Sequence, residues 1–261
     1  VQTMLNYTRD FEREADRIGI QTLERAGFDV RGMASFFERM QKFGRLYENN
    51  APGYLRTHPL TTERISDMEH RILQAQYRQV ADSPEFQLVR AKLRASQGHP
   101  NDAIVDFETQ LRERKYLSEA SARYGLAVAQ MRARNYAAVE REVAELRRLK
   151  ASSPMIDTLA TDAKKARGDL AGALRLYREA RIRHPRNKAL LYGQIDALLA
   201  DGQAQEALKT ATDELQLTPS DAALHGLQAK SYAALGKRLQ QHRAQAELYV
   251  LQGQLVASIQ Q

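Results

Sequence analysis

Two acidic residues near the start of this 261-residue chain have a spacing that suits a metal site. Glu12 and Asp16 are four residues apart, so on a helix they lie on one face, one turn apart. In a metal site of this kind one carboxylate binds the ion and the other orients a neighbouring ligand. The alternative is an amphipathic helix with ordinary charge pairs, although two like charges slightly destabilise a bare solvated helix. Spacing alone leaves both interpretations open.

The helix that carries these residues is predicted over residues 3–26, and Gly27 ends it. Its apolar face consists of Phe11, Ala15, Ile18 and Thr22. A second helix is predicted over residues 32–47, where Met33, Phe36, Phe37 and Met40 are apolar. After a loop over residues 49–53, a third helix is predicted to open near Pro59 and to run through Ile72.

Beyond about residue 80 the chain shows a 34-residue repeat. Gly168, Gly202 and Gly236 are spaced by 34, and counting back from Gly168 reaches first Arg134 and then Gly98. Small and large residues keep the same register, as Ala103, Ala173, Ala207, Phe107 and Tyr177 show, and two units close at Pro185 and Pro219. The unit over residues 134–150 departs from the pattern, with Val139 and Val143 in place of alanine and an aromatic residue.

Each repeat unit is predicted to be a helix, a turn at the glycine and a second helix. One such pair cannot bury its apolar face alone, so at least about three must stack. We therefore predict an all-α chain with two domains. Residues 1–80 form the first, and residues 81–261 form a helical solenoid of about four repeats, a degenerate final pair and a capping helix.

Composition excludes several classes of function. Without cysteine there is no disulfide framework, no thiolate zinc site and no cysteine nucleophile. No run of 18 apolar residues and no glycine-rich phosphate loop occur. The net charge of +7 is concentrated in residues 163–188, which hold nine basic and two acidic side chains. Such a stretch can attract nucleic acid, anionic lipid or an acidic protein face, or it can be a solvated helical surface.

Residues 8–19, which read Thr-Arg-x-x-Glu-x-Glu-Ala-Asp-x-x-Gly, resemble the [ST]-R-x-x-E-x-x-A-D motif of HtpX-like zinc metallopeptidases. Residues 26–29, 36–40, 57–60 and 64–65 also match one branch of that group. Its members join a periplasmic zinc protease domain to a C-terminal tetratricopeptide array. The order here is the same, and the resemblance covers essentially the whole chain.

The resemblance implies a role for four residues. Glu12 would be the third zinc ligand, beside two histidines of an H-E-x-x-H helix whose glutamate is the general base. Asp16 would be the catalytic aspartate, supporting the metal histidines and donating a proton. Arg9 would lie beside the site, or would simply pair with Glu12. His58 would be a loop histidine that approaches and regulates the metal, or a residue that only starts a helix.

The sequence departs from the family at the decisive motif. None of its six histidines, His58, His70, His99, His184, His225 and His242, belongs to H-E-x-x-H. Apart from His58 we interpret them as surface or packing residues. A catalytic zinc site needs three protein ligands and an open position. We therefore expect this chain, which begins at Val1, to be the C-terminal part of a longer metalloprotease and to be inactive alone.

The repeats are expected to bind proteins along a groove lined by the first helix of each pair. Its candidate residues, which could equally be only solvated, are Lys92, Tyr124, Arg132, Lys165, Tyr192, Asp196 and Lys230. Tyrosine and arginine there suit a peptide or an acidic protein segment.

The function that the resemblance implies is that of the C-terminal part of a periplasmic zinc metalloendopeptidase and chaperone, which acts in outer-membrane protein assembly and quality control and is at most peripheral to the membrane. Its partners would be protein substrates, the outer-membrane assembly machinery and the missing N-terminal half of the protease domain. The alternatives are a non-catalytic repeat adaptor and a nucleic-acid-binding repeat. The second alternative is weakened because Tyr177 is the single aromatic residue in residues 163–188.

Overall fold

The computed structural model describes the backbone of residues 2–46, 62–73 and 75–259, and the side chains of residues 10–42, 62–73 and 75–259. These residues form helices and connecting turns, and no strand occurs among them. The chain divides into two compact units, Val1–Asp82 and Ser83–Gln261. No helix in the described ranges has the length and apolar character needed to cross a membrane.

The first unit contains helices α1 (Gln2–Arg25), α2 (Arg31–Leu46) and α3 (Thr62–Ile72). Helix α1 ends as the sequence predicts, because Gly27 adopts a left-handed φ of 82° and the Phe28 N–H donates to the Leu23 carbonyl oxygen. The first helical turns expected after Pro59 lie outside the described residues.

The described part of the first unit has one apolar cluster, to which α1, α2 and α3 all contribute. Phe37 from α2 packs with Ile65 and Met68 from α3, and Ile20 and Met33 are partly buried against them. The apolar face predicted for α1 is not part of this core, since Phe11 is 67% and Ile18 is 49% exposed. The side of α1 that meets α3 carries the acidic residues instead.

The second unit consists of five helix pairs and a short final helix. In chain order its helices are α4 (Pro84–Ala95), α5 (Pro100–Glu113), α6 (Glu119–Arg132), α7 (Tyr136–Arg148), α8 (Pro154–Ala166), α9 (Leu170–Arg183), α10 (Lys188–Ala200), α11 (Ala204–Leu217), α12 (Ala222–Ala234), α13 (Arg238–Leu251) and α14 (Leu255–Ile259). The predicted all-α solenoid of helix pairs is confirmed.

The glycines that recur in the sequence all lie in the turn between the two helices of a pair. The glycines that separate the helices of a pair all have positive φ, from 58° at Gly98 to 83° at Gly168. Arg134 takes the same position with φ 60°, so the divergent unit keeps the turn without a glycine. A side chain is disfavoured in this left-handed conformation, and the unit therefore forms at some cost in stability.

The alanine and aromatic positions of the second helices explain how neighbouring pairs approach. Ala173 and Tyr177 are both fully buried, and Phe107 is nearly so. A Cβ atom added to Gly193 of α10 would lie 2.5 Å from the Tyr177 hydroxyl oxygen, and one added to Gly125 of α6 would overlap the Phe107 ring. Each large ring therefore packs directly against a glycine of the next helix pair.

Candidate functional site

The candidate site in the first unit is a buried charge cluster between α1 and α3. The Arg64 guanidinium donates from Nε to Asp16 Oδ2 and from Nη2 to Asp16 Oδ1, both at 2.7 Å. Its third nitrogen, Nη1, lies 2.9 Å from Glu12 Oε2. The helical spacing therefore brings Glu12 and Asp16 together as predicted, and a cation from another helix lies between them.

The surroundings make this cluster a low-solvent site. Asp16 is 4% and Arg64 is 9% exposed, while the Glu12 side chain keeps 17% of its surface. The Arg64 guanidinium lies 5.4 Å from the centre of the Phe37 ring. A buried fork of this kind is stable only because its hydrogen bonds replace those lost to water.

A second ion pair joins the same two helices next to the cluster. Arg13 of α1 contacts Glu63 of α3, and it also lies 3.2 Å from Asp10. Both ends of the Arg13–Glu63 pair are largely exposed. It can therefore clamp the helices without taking part in the buried cluster, and it offers a natural control for experiments on Arg64.

The cluster as described does not complete a metal centre. Among the residues whose side chains are described, no three His, Cys, Asp or Glu groups converge on one point. Glu12 can offer a carboxylate oxygen, but the other protein ligands of a zinc site would have to come from outside these residues. Of the remaining predicted residues, the Arg9 side chain and the whole of His58 lie outside the described residues.

Two of the predicted groove residues have structural roles instead. Tyr124 is 2% exposed and belongs to the core of the first repeats, where burial raises its pKa to about 12. Arg132 donates to the carbonyl oxygens of Ala95 at 2.6 Å and Gly98 at 2.9 Å. It was expected to face a ligand, but its fork caps the end of α4, where helix carbonyl groups lack internal partners.

The other predicted groove residues lie at or near the surface of the first helices. Lys92 and Lys230 are exposed, and Lys165, Tyr192 and Asp196 are half-buried. Lys230 Nζ is 3.4 Å from Asp196 Oδ1, and Lys165 Nζ is 3.5 Å from Asp162 Oδ1. The structure brings Asp196 and Lys230 together across neighbouring pairs, and it does not gather the whole set into one pocket.

Asp221 is a buried, hydrogen-bonded carboxylate that the sequence pattern did not single out. It is buried at the start of α12, caps the Leu224 N–H, and accepts from Lys188 Nζ and Tyr192 Oη, each at 2.6 Å. Burial alone would raise its pKa, but the hydrogen bonds from Lys188 and Tyr192 hold the pKa below its usual value. An aspartate directly before an apolar helix was the available signal.

The basic stretch over residues 163–188 is largely neutralised by ion pairs. Seven of its nine cations contact carboxylates: Lys164 and Arg167 contact Glu140, Lys165 contacts Asp162, Arg178 contacts Glu206, Arg181 contacts Glu214, Arg183 contacts Asp157 and Lys188 contacts Asp221. Most of these pairs connect neighbouring helices. The excess positive charge therefore contributes to joining the repeats, which favours the helical-surface interpretation over an interface for nucleic acid.

Comparisons with known proteins match two different families to two parts of the chain. Residues 1–72 match peptidase family M48, and residues 88–154 and 159–222 match the tetratricopeptide repeat. The beta-barrel assembly-enhancing protease of Escherichia coli is 31% identical over 259 residues, which is 99% of this chain and 53% of that protein. The chain thus spans about half the length of this relative.

Two further similarities are more local. The mitochondrial metalloendopeptidase OMA1 of Bos taurus is 37% identical over 70 residues, which is 26% of this chain and 13% of that protein. The crystal structure of YrrB, described as a tetratricopeptide-repeat protein with an unusual peptide-binding site, covers 68% of this chain and 91% of its own, with a TM-score of 0.50 and 14% identity. The chain therefore belongs to the tetratricopeptide-repeat family and is similar along its length to the beta-barrel assembly-enhancing proteases, and the segment ahead of its repeats matches peptidase family M48.

Proposed function

We propose that this chain is the C-terminal part of a periplasmic zinc metalloendopeptidase and chaperone that acts on outer-membrane proteins during their assembly. The observation that carries the proposal is the pairing of Glu12 and Asp16 on one face of α1, inside the segment that matches peptidase family M48. The similarity to a beta-barrel assembly-enhancing protease along 99% of the chain supports the substrate class.

In this proposal Glu12 is a zinc ligand, and the two histidine ligands and the general base come from a segment outside this chain. Zinc, when bound, activates a water molecule for attack on a peptide bond. Asp16 supports the histidine ligands of the metal and is the proposed proton donor. His58, on the loop before α3, is the proposed regulatory histidine, and Arg9 supports the site from α1.

The repeats are proposed to bind unfolded substrates or partner proteins of the assembly machinery. The surface groups Lys92, Tyr192, Asp196 and Lys230 supply both signs of charge along the first helices. The peptide-binding site of YrrB, a protein with the same kind of fold, supports a peptide as ligand. Because the described residues do not complete a metal centre, a non-catalytic adaptor is the second candidate.

The experiment that tests the peptidase uses the full-length protein that carries this chain. Glu12→Gln should abolish cleavage of casein and lower the zinc content while the circular dichroism spectrum stays unchanged, because a neutral amide is a poor zinc ligand. Asp16→Asn should retain more zinc and lose activity by roughly 10–100-fold, the usual effect of removing a group that supports a ligand. Wild-type cleavage and stoichiometric zinc in Glu12→Gln would exclude Glu12 from the site and favour the adaptor.

A further inference from the structure

Arg64 has contacts that neither the charge pattern nor the proposed zinc chemistry explains. It is an arginine in the first turns of α3 with 9% exposure, and it offers its Nε, Nη1 and Nη2 groups to two carboxylates on α1. Taking a guanidinium out of water is unfavourable unless its hydrogen bonds are replaced. The side chain is therefore held in one place by the residues around it.

The two carboxylates use Arg64 differently. Asp16 receives the bidentate fork, through both of its oxygens, whereas Nη1 lies 2.9 Å from Oε2 of Glu12. The fork geometry fixes the plane of the guanidinium, and the Phe37 ring lies 5.4 Å from its carbon on another side. With its plane fixed, the Nη1 group lies at a set position beside the Glu12 carboxylate.

We propose that Arg64 is a positioning residue, which Asp16 orients and which in turn holds the Glu12 carboxylate ready to bind the metal. This inference rests on the proposed function. A carboxylate can accept from a guanidinium at one oxygen and bind a cation through the other. Arg64 also offsets the repulsion between two like charges one turn apart, so that the Glu12 carboxylate is held in place.

The competing explanation is that Arg64 merely clamps α1 to α3. The structure supplies a matched control for it, because Arg13 joins the same helices through an exposed ion pair with Glu63. A clamp would be weakened by losing either arginine. A positioning residue would affect metal binding only when Arg64 is changed.

The test measures the zinc dissociation constant of the full-length protein by competition with a chelator, for wild type, Arg64→Met, Arg64→Lys and Arg13→Met. We expect Arg64→Met to weaken zinc binding by roughly 10–100-fold. Arg64→Lys should lie between it and wild type, because an ammonium group cannot reproduce the fork. Arg13→Met should bind zinc as wild type does. Circular dichroism establishes that each variant is folded.

The outcomes separate this inference from the proposed function. A wild-type protein that binds no zinc would overturn both. Wild-type zinc affinity in a folded Arg64→Met variant, or equal weakening in Arg13→Met, would overturn the role of Arg64 alone. If Arg64→Met does not fold, Arg64→Lys decides: weakening by about threefold or more upholds the proposal, and unchanged affinity overturns it.

Discussion

Arg132 makes its hydrogen bonds within the fold, and they stabilise the first repeat. Its guanidinium donates to the Ala95 and Gly98 carbonyl oxygens at the end of α4. Hydrogen bonds from a charged donor are stronger than neutral ones, and removing them leaves carbonyl groups without partners. The side chain therefore stabilises the first repeat, and a bound peptide would have to compete with these contacts.

We expect Arg132→Gln to lower the free energy of unfolding by about 1–2 kcal/mol, because the long charged fork is lost. Urea denaturation of the chain, followed by circular dichroism, measures this. Lys92→Gln is the control, since Lys92 is exposed on α4 and an exposed substitution changes stability by less than about 0.5 kcal/mol. Equal stability of Arg132→Gln and wild type would refute the capping role.

The raised pKa of Tyr124 predicts how the free energy of unfolding depends on pH. Burial, with the Asp162 charge adding to it, raises the pKa of Tyr124 to about 12, whereas an unfolded tyrosine titrates near pH 10. As the pH rises from 10 to 12, the unfolded chain releases this proton while the folded chain keeps it. The unfolded state then binds fewer protons, so stability falls with rising pH.

The size of this loss of stability follows from the coupling between proton binding and folding. One such group contributes a loss of up to about 1.4 kcal/mol per pH unit in that window. Urea unfolding of wild type and Tyr124→Phe between pH 9 and 11 measures it. We expect the variant to lose stability less steeply, and parallel pH dependences would contradict the assignment of Tyr124 to the core.

Residue patterns predicted the acidic pair but not its partner. Glu12 and Asp16 could be placed on one face of α1 because helical periodicity relates residues four apart. Arg64 follows Asp16 by 48 residues, and a contact at that separation depends on how α1 and α3 pack. Tyr124 was misplaced for a similar reason. The repeat register predicted that Tyr124 on α6 would line a groove, but its neighbours cover it.

At the scale of helices, the turn between the two helices of a pair is the most regular feature of the array. Four glycines and Arg134 adopt left-handed φ values at this position. A glycine there has no strain to overcome, while a residue with a Cβ atom is disfavoured by roughly 1–2 kcal/mol. Substitutions at this turn position are therefore expected to raise the free energy of unfolding in one repeat and to lower it in another.

We expect Arg134→Gly to raise the free energy of unfolding by roughly 0.5–1 kcal/mol, and Gly202→Ala to lower it by about 1 kcal/mol. Thermal or urea unfolding of the three proteins provides the comparison. A destabilised Arg134→Gly variant would mean that the Arg134 side chain contributes more to this turn than its backbone conformation costs.

The repeat helices were predictable because local and tertiary requirements coincide in them. The glycine turn, the alanine position and the ring that follows it recur in the sequence, and each recurs in the packing. Helix α1 is the contrary case. Its predicted apolar face, with Phe11 and Ile18, is exposed, and the buried side carries Asp16, which only the partner from α3 explains.

On the scale of the whole molecule, two compact units have different organisations. The second is held together by repeated apolar packing and by ion pairs between helices. In its described residues, the first has an apolar cluster around Phe37 and Met68 and a buried Arg64–Asp16–Glu12 cluster. These features are compatible with the proposal that groups from outside the described residues complete the zinc site.

The most direct test of this account compares zinc binding by the full-length protein, its Glu12→Gln variant and the present 261-residue chain. Each is titrated with zinc against a chelator and then incubated with casein. We expect one tightly bound zinc and chelator-sensitive cleavage for the full-length protein, and much weaker binding and no cleavage for Glu12→Gln. The chain alone should show neither tight zinc binding nor cleavage. Tight zinc binding with chelator-sensitive cleavage by the chain alone would contradict it.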